Sequence, residues 1–400
     1  MKLMIEASRW LLITGLALFL FDAPAGGQQS PPRPPHPKNR PVPPEFGESP
    51  LPEDPPNYDP IRDAGGVPGV PDPELDPDLV AGPHVGWAAT IPTGPARLTV
   101  SAGRVFVGTW GGMVHALSAS SGAELWQVNV GAPATARPVL AAGRLVVGTN
   151  LGNLISVDPS TGARKGVLTG SGAFMLPLVA TEEWLVAINS NSRLQFHEAS
   201  SLRLVRQIRV PGEVQVAPVI AGDVVLLATQ QGSVLAYQLE DGVLAWSARL
   251  SGQITAPLAV MPGFPSVVVA GTTTGSVVGL DLAMGHELWQ HQTAGPYIGG
   301  SVSQGRLLLS FKGNTLTELN PVNGREIQPA MISGSPVAPP LFTPSGLAVF
   351  LSGGRVDLYS SDLMRLDRVQ LPGSIVDLPA AGGSHFYAAL REGAVYSLRF

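Results

Sequence analysis

Two arginines, Arg97 in PARLTV and Arg137 in TARPVL, stand 40 positions apart, each just ahead of an apolar run. A guanidinium presents five donors in a fixed planar fork that matches a carboxylate or a phosphate. Two of them at equivalent places in neighbouring units would bind an anionic ligand or a partner's carboxylate, or would pair with an acid of the chain itself. A second group gathers further along, where Arg193, Arg203, Arg206 and Arg209 follow Glu182 and Glu183. In an extended strand alternate residues share a face, so Arg203 and Arg209 are expected side by side as a basic docking strip. Charge on an outer strand equally serves to discourage edge pairing. A third candidate is VMPGFPS, residues 260–266, whose Met261 and Phe264 are expected at the tip of a loop. Apolar side chains exposed there would contact a partner, unless they fold back onto the strands beside them.

Other chemistry lacks its residues. The 7 histidines are scattered, and His286 with His291 is too small a set for a metal centre. The 0 cysteines remove disulfides, thiolate zinc, thioether haem and the acylated cysteine of a lipoprotein. HExxH, a P-loop and a GxSxG elbow are all missing, so the residues predict no catalytic centre, no metal and no resident cofactor.

Positioning these arginines is the work of a repeat. Aligned on one glycine, GMVHAL from Gly112, GNLISVD from Gly152, GSVLAYQ from Gly232, GSVVGLD from Gly275, GRVDLYS from Gly354 and GAVYSLR from Gly393 form one series. SRLQFH from Ser192 and NTLTELN from Asn314 complete eight copies, 39 to 43 residues apart. Glycine and asparagine tolerate the positive φ of a tight hairpin turn. Before each turn lies a β-branched run such as RVFVGT or RLVVGT, and about ten residues earlier another strand starts, at a proline in most copies.

Four strands in about 40 residues, written eight times, predict an all-β, eight-bladed propeller of four-stranded antiparallel blades. Trp126, Trp246 and Trp289 fall in the fourth strands of blades one, four and five, where they are expected to pack blade against blade. The last copy ends at Phe400 after only three strands. VGWAATIP, residues 85–92, carries Trp87 ahead of the first blade and is expected to supply the missing strand and close the ring.

The front of the chain differs. Lys2 and Arg9 precede the apolar run Trp10 to Phe21, and Ala23 and Ala25 follow. This predicts a signal peptide cleaved after Ala25, too short to remain as a membrane span, and hence a periplasmic or secreted protein. Residues 26–83 hold 18 prolines, ten acids and four bases, which predicts a disordered, acidic, proline-rich tether. Ten acids against four bases outweigh the chain's whole net charge of -5, so residues 84–400 are nearly neutral and offer no electrostatic case for nucleic acid or an anionic membrane surface.

GMVHALSASSGAELW, GSVLAYQLEDGVLAW and GSVVGLDLAMGHELW together resemble the repeat of the PQQ-type, quinoprotein-like β-propellers across residues 84–400. Blades two, three, six and seven depart with Gly166, Arg206, Gln328 and Arg368 in the tryptophan's place. The resemblance implies one of two functions. The first, to which the chain is more similar, is that of the non-catalytic envelope scaffolds, such as the propeller lipoprotein of the outer-membrane β-barrel assembly machinery: a monomer binding an envelope protein. The alternative is a propeller binding PQQ with calcium, or another small anion, at the channel mouth near Arg97 and Arg137. The enzymes of that branch need acidic ligands for calcium and an aspartate base, and only Asp377 in DLP stands at a strand start.

Overall fold

Blade one shows how a repeat folds. Its strands Pro95–Ser101, Arg104–Thr109, Met113–Ser118 and Glu124–Asn129 pair in succession, antiparallel, from the innermost outward. The computed structural model describes residues 84–399 apart from 93, 262, 264, 265, 294, 344 and 345. All belong to one unit of the chain, Pro71–Phe400. Among them eight four-stranded sheets follow one another in chain order, forming the eight blades. The segments expected as signal peptide and tether, residues 1–83, fall outside the described residues.

The aligned turn residues explain the period. Gly112, Gly152, Ser192, Gly232, Gly275, Asn314, Gly354 and Gly393 all adopt positive φ, between 55° and 90°. Ser192 therefore takes the left-handed conformation without being glycine, and Asn189 Oδ1 supports it by accepting from the backbone N–H groups of Asn191 and Arg193.

The inner strands are shorter than the apolar runs suggested. Val139–Ala141, Val219–Ala221 and Leu341–Thr343 each begin just after their proline, which has no N–H to give to the ladder. Blades one and six, with inner strands Pro95–Ser101 and Tyr297–Ser303, are the long exceptions.

The core is divided among the blade junctions. Eight clusters of buried side chains are described, each drawn from two adjacent blades. Trp87, Trp126, Trp246 and Trp289 reach across four junctions. Their indole N–H groups donate to Ala119 O at 2.9 Å, Pro159 O at 3.1 Å, Leu282 O at 2.8 Å and Pro321 O at 2.8 Å on the next blade. Each ring lies over a turn glycine of that blade: Gly122, Gly162, Gly285 or Gly324.

The ring closes as expected. Val85–Thr90 pairs with Ala394–Arg399 as the outer strand of blade eight, Trp87 opposite Ser397. Ile91 N–H donates to Gly393 O, and Arg399 N–H to His84 O at 2.8 Å.

In blade seven the register moves one assignment. Leu358 pairs with Asp367, as Ala116 pairs with Trp126 in blade one, so Asp367 and not Arg368 holds the tryptophan's place. Its carboxylate meets His84 Nε2 at 2.6 Å, where the turn of blade eight would be if the chain were not broken there. The backbone N–H of Arg368, then His84, hold this carboxyl below the usual carboxylate range.

Candidate functional site

Segments leading into the inner strands of six blades converge on the propeller axis at one face. They enclose a recess of about 280 Å³ lined by Arg97, Met175–Pro177, Gln215–Ala217, Thr255, Pro257, Val337 and residues 375–378. Antiparallel pairing puts the turns between second and third strands on this same face. A second hollow of about 450 Å³, bounded by Ile188–Ser190, Ser192 and Glu213–Gln215, shares Met175, Leu176 and Gln215 with the first. A groove thus runs outward from the axis between blades three and four.

The two arginines do meet at this mouth, around a carboxylate that the chain itself supplies. Asp377, with its side chain 6% exposed, accepts from Arg137 Nη2 at 3.0 Å and from Leu98 N–H at 3.0 Å. Arg97 Nη1 stands 3.6 Å from its other oxygen, and Arg137 donates also to Leu378 O at 2.7 Å. Asp377 lies on the lead-in to blade eight, so this cluster staples blades one, two and eight across the ring closure. Sequence spacing placed the arginines correctly. Their partner, 240 residues beyond Arg137, had no local signal beyond its place ahead of a strand.

Apolar groups share the mouth with these charges. Met175 is 43% and Val337 44% exposed, and both line the recess. Trp110 is 54% exposed on a turn of the same face. With its neighbours Thr109 and Gly112 in the tight turn, its ring projects into solvent instead of between blades.

Among the described residues, the other candidates do not come together. Met261 is 8% exposed, the last residue of the strand Ala259–Met261, paired with Val267 and packed near Trp289 and Tyr297. Its place in the ladder, not in a loop tip, buries it; Phe264 lies outside the described residues. Arg203 and Arg209 do not align either. A bulge between Phe196 and His197 advances the alternation, so Leu204, opposite His197, falls in phase with Arg209, opposite Arg193. Arg203 turns instead to Glu198, 3.5 Å away.

Sequence reasoning passed over a denser set of charges. At the junction of blades six and seven, Arg355, Arg365 and Arg368 gather around Asp357. Asp357 and Arg368 are direct cross-strand partners, which spacing within one hairpin would have revealed. In blade six, Arg306 grips Glu318 through two contacts of 2.8 Å and donates to Ser361 O at 2.7 Å, crossing the junction that Gln328 leaves without a tryptophan. Among the described residues no group of three or more carboxylate, imidazole or thiol side chains is arranged to hold a metal ion. Nor is any helix among them long and apolar enough to cross a membrane.

Comparison with known proteins gives a consistent result. A family model described as "Outer membrane protein assembly factor BamB" matches residues 81–172, 169–310 and 215–359. The protein of that name from Nitrosomonas eutropha is 29% identical over 109 residues, 26% of this chain and 26% of its own length. That from Yersinia pestis is 27% identical over 204 residues, 49% of this chain and 43% of its own. The match thus spans less than half of either relative. The crystal structure of BamB from Moraxella catarrhalis superposes with a TM-score of 0.68 at 15% identity, covering 79% of this chain and 99% of that one. At such identity the superposition speaks for the fold alone.

Proposed function

Because the chain belongs to the PQQ-type propeller family whose model is described as outer membrane protein assembly factor BamB, we propose that it is an exported, non-catalytic scaffold. In this reading it docks a segment of an envelope protein on the face bearing the axial recess, in the service of outer-membrane protein assembly. The supporting observation is the recess with its radial groove, where Met175 and Val337 present apolar surface beside the charged group Arg97, Arg137 and Asp377. An apolar centre with a polar margin is how protein interfaces combine affinity with register. Eight blades pinned at their junctions hold the surrounding loops in fixed relation, so little ordering is needed on binding.

The relatives' name supplies the process, and the partner is an envelope protein meeting this face. The exported state rests on the amino-terminal sequence. Quinone with calcium fits the recess poorly. Asp377 already accepts from Arg137 and Leu98, and among the described residues no second carboxylate lines the recess.

A photoreactive residue placed at position 175, in the chain expressed in its own cells, is expected to crosslink an envelope protein. The same residue at Met364, exposed on the opposite face, is expected to give none. Labelling from position 364 alone would overturn the choice of face. Saturable calcium-dependent binding of PQQ in a fluorescence titration would overturn the scaffold reading as a whole.

A further inference from the structure

The charges between blades six and seven do not balance. Asp357, fully buried, has its Oδ1 at 2.9 Å from Arg368 Nε and its Oδ2 at 3.0 Å from Ser333 Oγ. Both carboxylate oxygens are therefore engaged before the other two arginines are counted. Arg365 Nη1 stands 3.8 Å from Oδ2 and Arg355 Nε 3.6 Å from Oδ1, close enough to feel the charge and too far for a hydrogen bond. Arg355 Nε is buried with no hydrogen-bond partner among the described residues. None of the three pairs with a second carboxylate among those residues. Three guanidinium groups thus share one negative charge. Arg306 and Glu318, in the neighbouring blade, are matched one to one.

The groups also converge. Ser333 Oγ, on the exposed connection between the two blades, receives Arg368 Nη2 at 2.6 Å and Arg365 Nη1 at 3.3 Å. Arg355 Nη2 donates to the carbonyl of the same serine. Arg365 and Arg368 are 48% and 41% exposed along their side chains, so the cluster opens to solvent beside that hydroxyl. We propose that this crevice is a binding site for a phosphate-type oxyanion, free or on a lipid headgroup, held by Arg355, Arg365 and Arg368 beside the Ser333 hydroxyl. Guanidinium forks suit a tetrahedral oxyanion, and such an anion would bring the local charge to balance.

The test is calorimetric titration of the full chain with inorganic phosphate, and flotation with vesicles of phosphatidylglycerol in phosphatidylcholine. Wild type is expected to bind phosphate saturably, and Arg365→Gln to weaken that binding about tenfold. Arg365→Lys, which keeps the charge and loses the fork, should fall between them. Thermal midpoints of the three proteins check that each is folded. Vesicle binding that Arg365→Gln abolishes identifies a headgroup as the source, and phosphate binding without vesicle binding identifies a free anion. Absence of both, or binding that Arg365→Gln leaves unchanged, overturns the proposal.

Discussion

Arg206 shows how little of the tryptophan's role is specific to tryptophan. Where four blades place an indole, blade three places a guanidinium, whose Nη1 donates to Leu239 O at 3.4 Å on the next blade. Its flat surface lies 5.7 Å from the Trp184 ring and 5.5 Å from that of Phe196, and it sits against Gly242 as the indoles sit against their glycines. Arg206→Ala should lower stability by about 1–2 kcal/mol, from lost cation–π contact and packing, while Arg206→Trp is tolerated. Denaturant unfolding measures both. A pair of glycines separates packing from backbone strain. Gly162 and Gly143 have φ of 75° and 73°, but a Cβ at Gly162 would stand 2.8 Å from Trp126, and one at Gly143 would meet nothing. Gly143→Ala should cost about 1 kcal/mol of strain. Gly162→Ala should cost a further 1–3 kcal/mol, roughly, as the ring is displaced. Equal losses would mean that Trp126 yields freely.

Among the elements, the hairpin of blade three's two outer strands carries the most compromise. Leu202 stands where blade one has Gly122 and takes φ of 62°, a conformation unfavourable for leucine. Its carbonyl accepts from His197 Nδ1 at 3.0 Å, across the same turn. Burial lowers the pKa of His197 from its ordinary value of 6.5, so the ring folds neutral. The unfolded chain takes up that proton first. Stability is therefore fully present above pH 6.5 and declines as pH falls from there through the lower folded value. His197→Gln should flatten this part of the stability–pH curve, measured by denaturant midpoints between pH 7.5 and about 5. The alternation of side chains along this hairpin was legible in the sequence; the bulge that shifts it was not, since a bulge depends on how two strands pair.

For the whole molecule the decisive feature is the closing strand. Val85–Thr90 joins the two ends of the propeller, and His84 with Asp367 fastens its start to blade seven. A chain beginning at residue 91 would leave blade eight with an open edge and Tyr387 without the Trp87 ring, 5.9 Å away. Its unfolding is expected to lose the single cooperative transition of the longer chain, blade eight melting first by hydrogen exchange. Retention of one transition at the same midpoint would show that the ring holds without its clasp.

Sequence alone determined the blade count, the strand order within each blade and the ring closure. These follow from periodicities of 2 and about 40 residues, which are properties of the chain itself. It also placed Arg97 and Arg137 together, because equivalent positions in a repeat become neighbours around a ring. What only the tertiary structure decided was which charges meet. Asp377 answers those arginines from the far end of the chain, Asp367 takes the place that spacing gave to Arg368, and Met261 is buried by its ladder. The excess positive charge between blades six and seven appears in the same way. Pairing between side chains depends on strand register and on closure of the ring, and both are settled by contacts between segments that the repeat does not relate to one another.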